Sequence, residues 1–227
     1  MGSRERRERE REEVRQKILD AARELFAREG YEAVSMRKIA DAIEYSPTAI
    51  YVHFKDKAKL MRELCLVDFG RMAEGNRAVF AIEDPVERIR ELGYHYIRFA
   101  VSHPNHFRLM FMTRTTADLT MDEDELKEAV RGDPNQDGYA LLKLCVEEAI
   151  ARKRLRPEAG DAGTVTQLFW AGVHGVASLH IVRADAGEQW CAWAGADVLG
   201  RAMIDLMFRG ILVPGDPALA GGEGAKP

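Results

Sequence analysis

The residues best equipped for chemistry lie close together in Tyr45-Ser46-Pro47-Thr48-Ala49-Ile50-Tyr51-Val52-His53-Phe54-Lys55-Asp56-Lys57. Two lysines, a histidine, two tyrosines, a serine and a threonine crowd round a short apolar thread. The chemistry they offer is recognition. Hydroxyls and ring nitrogens exchange hydrogen bonds, and ammonium groups attract phosphates. Elsewhere no nucleophile–base pattern, phosphate-binding glycine loop or paired-carboxylate motif stands out. An α-helical enzyme is the alternative from another class; the chain is not expected to be one.

Composition limits the setting. A chain of 227 residues, 46% apolar, can build one large domain or two modest ones. No run of eighteen apolar residues occurs, so no membrane span is expected. The start, MGSRERREREREE, is charged and does not read as a secretory signal. Cys65, Cys145 and Cys191 are far apart and odd in number, which fits a reducing cytoplasm and plain buried or half-buried thiols. Net charge is −4. Residues 1–57 hold 13 Lys+Arg and 12 Asp+Glu, and the remainder holds 20 and 25. A polyanion would have to be met by a local patch, since bulk charge opposes it.

The elements that must position these residues read as helices nearly throughout. Val14, Ile18, Ala21 and Leu25 step by four, three and four along one face, and Gly30 ends that helix. Ser35 caps a short helix near 36–43, with Met36, Ile39, Ala40 and Ile43 inward. Ser46-Pro47 opens another near 47–53, with Ile50 and Phe54 inward. Asp56 caps a fourth, which keeps Leu60, Leu64 and Val67 on one side. Two short helices joined by a tight turn and buttressed by a longer one make a helix-turn-helix, whose second helix enters the DNA major groove. Helices follow near 85–102, 104–113, 136–154, 161–183 and 187–209, with a polar loop over 114–135. The tail GDPALAGGEGAKP is expected to be disordered. The fold class expected is all-α, with a DNA-binding domain over 1–60, a helical ligand-binding and dimerisation domain over 61–212, and a free tail over 213–227.

The runs Ser35-Met36-Arg37-Lys38-Ile39-Ala40 and Ser46 through Leu60 resemble the DNA-binding domain of the TetR family of transcriptional regulators. The resemblance covers about residues 12–60 and rests on many fixed positions. It implies that Thr48, Ala49 and Tyr51 face bases or the sugar edge. It also implies that Ser35, Arg37, Tyr51, His53, Lys55 and Lys57 hold phosphates, Lys57 from a helix N-terminus. Ser46 completes the expected DNA-binding set. One departure stands out: Glu44 occupies the turn position where the family usually has Gly, and a carboxylate there repels phosphate. The arginine-rich lead, Arg4 to Arg15, is expected to be a solvated helix start with i,i+4 pairs. A flexible arm placing Arg4, Arg6 and Arg7 near the minor groove is the alternative.

The larger part carries a stripe of Leu168, Gly172, Gly175 and Leu179 on one helix, and Val198, Ala202 and Leu206 on the last. Two such helices from each of two chains would make a four-helix bundle, and the resemblance favours that homodimer. The segment Trp170-Ala171-Gly172-Val173-His174-Gly175 resembles a C-terminal domain type named for its Trp, His and Gly. An apolar effector pocket is expected among Tyr94, His95, Tyr96, Phe99, Phe107, Met110, Phe111, Trp170 and His174. A metal-sensing regulator of the same fold is the rival reading, from His103, His106 and the acidic run Asp122 to Glu125. With no close Cys/His cluster, no metal and no cofactor are expected. The expected partners are a double-stranded DNA operator, a small effector and a second copy of the chain, in the cytoplasm.

Overall fold

The computed structural model describes residues 3–112, 132–186 and 192–224. The described chain is helical. It separates into two compact units, one holding residues 3–69 and 105–112, the other residues 70–104, 132–186 and 192–224. The expected loop over 114–135 and Cys191 fall largely or wholly outside the described residues.

The first unit begins with α1 (Ser3–Glu29), which buries Ile18, Leu19, Ala22, Leu25 and Phe26. Gly30 ends it at φ +83, a conformation that costs a residue without a side chain little. α2 (Met36–Ala42) and α3 (Pro47–His53) are each two turns long. Ser35 caps the first by accepting from the Lys38 N–H at 3.2 Å, and Ser46 caps the second by accepting from the Ala49 N–H at 3.3 Å. Ala40 and Ile50 are wholly buried between them. α4 (Lys57–Gly75) opens on an Asp56 cap, whose Oδ1 lies 2.7 Å from the Lys59 N–H. Its Leu60, Met61 and Leu64 complete the core, joined by Leu109 from beyond α6 (Pro104–Phe107). The expected boundary at residue 60 is therefore too early, because α4 buries side chains in this unit past that point.

A buried ion pair crosses this core. Arg23 grips Asp68 through Nε at 3.1 Å and Nη2 at 2.8 Å, and His106 Nδ1 lies 2.9 Å from the same carboxylate. Asp68 has no exposed surface, and the Arg23 side chain retains 5%. Burial alone would raise the Asp68 carboxyl pKa, but hydrogen bonds from His106 and Arg23 hold it below its ordinary value.

The second unit packs α5 (Pro85–Ser102), α7 (Gly138–Ala151), α8 (Ala162–Ala186) and α9 (Ala196–Ile211), with α5 touching the other three. Each helix contributes an i+4 column: Val165, Phe169, Val173, Ala177 and Ile181 on α8, and Ala196, Gly200, Ile204 and Phe208 on α9 are all buried. Asp84 caps α5 through the Val86 and Glu87 N–H groups, and Asp137 caps α7. α9 begins later than the expected 187, since residues 192–195 are not helical and Gly195 stands at its N-cap.

The expected free tail is a second correction. Arg154 holds Asp216 through two hydrogen bonds, one of 2.7 Å, and reaches Asp84 at 2.7 Å. Arg90 donates to the Ala218 carbonyl at 2.8 Å and to Asp205 at 2.5 Å. Asp216 and Ala218 are buried, so residues 213–219 are strapped to the helices despite their composition.

Asp68→Ala would take away the buried counter-charge of Arg23 and leave it only the exposed Asp20, 2.6 Å from Nη1. The expected loss is about 3–5 kcal/mol of unfolding free energy, read by urea denaturation at neutral pH. Because the folded carboxyl pKa is depressed, the Asp68 contribution is complete above the unfolded value and fades as pH falls through the folded one.

Candidate nucleic-acid interface

α3 buries Ile50 and turns the rest of its surface outward. Tyr51 is 53% exposed and Val52 65%, and Thr48 and Lys55 are also exposed. Ala49 and His53 are half-buried at the edges of this face. Arg37 on α2 projects into solvent beside Asp41, 4.0 Å away. Ser35 and Ser46 spend a lone pair on their helix caps, and each keeps an O–H free to donate to a phosphate. Burial holds the His53 pKa down, with Arg11 and Arg15 adding to the effect, so a neutral ring is favoured there. Val52 is absent from the expected set. Its alternation with buried Ile50 and Phe54 was the signal for its exposure, and a branched methyl pair suits a thymine methyl or a sugar.

Glu44 adopts the conformation that its position demands. Its φ is +59, and Tyr45 N–H closes the turn onto the Ala40 carbonyl at 3.0 Å. The turn keeps the left-handed form that glycine would take, at a cost of about 1–2 kcal/mol. The Glu44 side chain is exposed.

Lys57 departs from its expected role. Its ammonium donates to the Tyr31 carbonyl at 2.9 Å and to the Val34 carbonyl at 3.0 Å, and lies 4.1 Å from the Tyr31 ring centroid. Two carbonyls and a π face thus hold the charge that a phosphate would have taken. The side chain ties the start of α4 to the turn between α1 and α2. Lys55, just past the end of α3, is exposed.

In the second unit the expected effector residues divide. Tyr96, named there only as one aromatic among several, becomes the hub. Its hydroxyl lies 2.8 Å from His174 Nδ1, and Trp170 Nε1 donates to it at 3.3 Å. Burial raises the Tyr96 pKa and lowers that of His174, which favours neutral forms of both. Tyr139 packs edge-on against Trp170. Phe99 stacks on His103, and burial lowers the His95 pKa. Tyr94 lies under the Arg201 guanidinium at 5.0 Å, in a cleft of about 110 Å³ lined also by Glu91, Arg98 and Asp197. That cleft is charged, unlike the apolar pocket expected. Phe107 and Phe111 belong to the first unit, where they pack on each other and Phe111 meets Phe69 edge-on.

The rival metal set is only partly described. His103 stacks on Phe99 and His106 faces Asp68, while Asp122 to Glu125 lie outside the described residues. Among the described residues, no three His, Cys, Asp or Glu side chains converge. Burial lifts the Cys65 thiol to about 12 and the Cys145 thiol to about 11, so both are poor nucleophiles.

The stripe expected to pair two chains is exposed. Leu168, Leu179 and Val182 on α8 and Val198 and Leu206 on α9 each leave more than half of their surface open. Ala202 is also exposed, and a methyl group added at Gly175 would meet nothing. Gly172 serves the chain's own packing instead. A Cβ there would come within 2.7 Å of Met203 Sδ, so its absence lets α9 approach α8.

Residues 18–64 match the family described as "Bacterial regulatory proteins, tetR family". Residues 89–189 match "Tetracyclin repressor-like, C-terminal domain", a description that does not mention the Trp-His-Gly type. The HTH-type transcriptional regulator AcrR of Shigella flexneri is 33% identical over 108 residues, 44% of this chain and 48% of that protein. The HTH-type transcriptional repressor AcnR of Corynebacterium efficiens is 47% identical over 60 residues, 26% of this chain and 32% of that one. The chain thus spans about a third to a half of these relatives. Among solved structures, a protein of unknown function from Rhodococcus sp. RHA1 has a TM-score of 0.66 at 24% identity, covering 88% of this chain and 96% of that one. The TetR family regulator PfmR from Thermus thermophilus has a TM-score of 0.66 at 21% identity, covering 85% and 94%. Both share the fold.

Lys57→Ala should cost about 1–3 kcal/mol in urea denaturation, through two lost charge-assisted hydrogen bonds. Lys55→Ala, at an exposed site, should change stability by less than about 0.5 kcal/mol. Equal effects of the two substitutions would refute the division of labour between these lysines.

Proposed function

The chain belongs to the TetR family of bacterial regulatory proteins, and from that premise we propose that it is a dimeric one-component transcriptional repressor. It binds a palindromic operator and is released by a small, largely apolar effector. The observation that carries this reading is the outward face of α3. A helix capped by Ser46 presents Thr48, Tyr51 and Val52 away from its buried Ile50, and exposed Lys55 follows just past its end. These types suit a major groove: a hydroxyl, an aromatic, a methyl pair and a cation. Ser35, Arg37 and Ser46 supply phosphate donors at the rim, and the Lys57 backbone supplies a helix N-terminus. With DNA as its target, the protein works in the cytoplasm.

The open stripes of α8 and α9 are the proposed dimer face. Large aliphatic side chains more than half exposed on two adjoining helices call for a partner. A two-fold axis through that face presents two recognition helices to two half-sites. The effector is proposed to lodge by the Trp170–Tyr96–His174 chain, where neutral polar groups sit among aromatics. Its binding shifts the protein between an operator-fitting state and one that does not fit. Moving such an equilibrium from 1:99 to 99:1 takes about 5.5 kcal/mol of differential binding, about half from each ligand of a dimer.

Selection of genomic fragments by the purified protein should enrich a palindrome, and Tyr51→Ala should weaken that binding by about 1–3 kcal/mol. Enrichment that survives Tyr51→Ala unchanged would remove α3 as the reading element. Leu206→Asp should shift the protein from dimer to monomer in sedimentation; a dimer that persists would place the interface elsewhere.

A further inference from the structure

The first eleven residues of α1, from Ser3 to Glu13, sort their charges by face. Arg4, Arg7, Arg11 and Arg15 step by three, four and four, which places them within about 80° of one another on a helix. The other arginines of the segment have carboxylate partners or other interactions. Arg6 pairs with Glu10 at 3.4 Å, and Glu5 and Arg9 are both engaged. Arg15 binds Glu12 and Glu63. Arg4, Arg7 and Arg11 are exposed and have no ion-pair partner among the described residues. Glu8 stands at the edge of their column.

Such a column has a cost. Arg7 and Arg11, and Arg11 and Arg15, are like charges at i,i+4, which weakens a helix by a few tenths of a kcal/mol for each pair. The column also has a direction. Arg15 at its base lies 5.6 Å from the Phe54 ring centroid, at the end of α3, and the charges of Arg11 and Arg15 are felt at His53. The ridge therefore begins beside the recognition helix and runs about 16 Å to Arg4 along α1.

We propose that Arg4, Arg7 and Arg11 form a helical ridge that binds the phosphate backbone of DNA flanking each operator half-site. This rests on the operator-binding reading of α3. The lead is helical from Ser3, so it cannot thread a minor groove as an extended arm would. A helix offers instead three guanidinium groups in fixed order, suited to successive phosphates and indifferent to sequence. The ridge extends the footprint without adding base specificity.

The test uses the full chain and the operator recovered by selection, in two duplexes: one trimmed to the palindrome, one with about a dozen extra base pairs at each end. Affinity is measured against salt. Each phosphate contact contributes about 0.9 to the log–log slope. On the long duplex, R4Q/R7Q/R11Q should flatten the slope by about five for the dimer, six contacts at about 0.9 each, and leave the base preference intact. R4K/R7K/R11K should restore most of it. R6Q/R9Q, which removes arginines from other faces, should change it by less than about one. On the trimmed duplex the wild type should approach the triple glutamine variant. An unchanged slope in that variant, equal flattening by R6Q/R9Q, or indifference of the wild type to trimming would overturn the ridge. A wild type that binds no duplex would fail the operator reading itself, and the ridge with it.

Discussion

A helix of two turns has almost no stability of its own, and the recognition element here is seven residues long. Everything in the first unit serves that constraint. Ser46 satisfies one amide at its start, and Phe54 N–H bonds back to the Ile50 carbonyl at its end. Ile50 and Phe54 are sealed in the core, which fixes rotation about the helix axis and so fixes which side chains face outward. Lys57 ties the next helix to the turn after α1, and the Arg23–Asp68 pair crosses the same core. A buried ion pair gives little net stability compared with an apolar substitute, but it tolerates few alternative registers between α1 and α4. The proposed reading of DNA by α3 side chains needs that restriction.

The local parts of this arrangement were legible in the sequence. Ser35, Ser46 and Asp56 all cap the helices expected of them, because a cap is a contact within three residues. The apolar steps through Ile18, Leu25, Ile39 and Ile50 marked the core faces, because helical period is also local. Glu44 shows the limit of a residue-type rule. Position, set by the closing Tyr45–Ala40 hydrogen bond, imposes the left-handed backbone, and the residue accepts its strain.

What escaped the sequence were pairings between residues far apart along the chain. Lys57 stands where the family resemblance implies a phosphate ligand, and nothing near it reveals that the carbonyls of Tyr31 and Val34 will claim it. The tail has the composition of a free end, yet Arg154 and Arg90, more than sixty residues earlier, hold it down. Tyr96 looked like one aromatic among many until His174 and Trp170 met its hydroxyl from 78 and 74 residues away. α8 makes the same point for a whole helix. Residues 162–184 are long and apolar enough to cross a membrane by length and composition, and so exceed the expectation from continuous apolar runs. Its buried i+4 column faces α5, α7 and α9, while Leu168, Leu179 and Val182 stay open. Apolar surface on two sides is what a helix needs when it serves its own core and a second interface.

Charge follows the same logic at the surface. A chain of net charge −4 can meet a polyanion only if its cations are placed and its carboxylates are occupied. Many of the carboxylates around the first unit are engaged: Glu29 by Lys38, Glu63 by Arg15, Asp68 by Arg23, and Glu10 by Arg6. Each engaged carboxylate removes local repulsion without altering the sum. Lys55, just past α3, and Arg4, Arg7 and Arg11 along α1 are exposed and have no ion-pair partner among the described residues. Screening confines each charge to about 10 Å at moderate salt, so a phosphate responds to that arrangement and hardly at all to the acidic remainder of the chain.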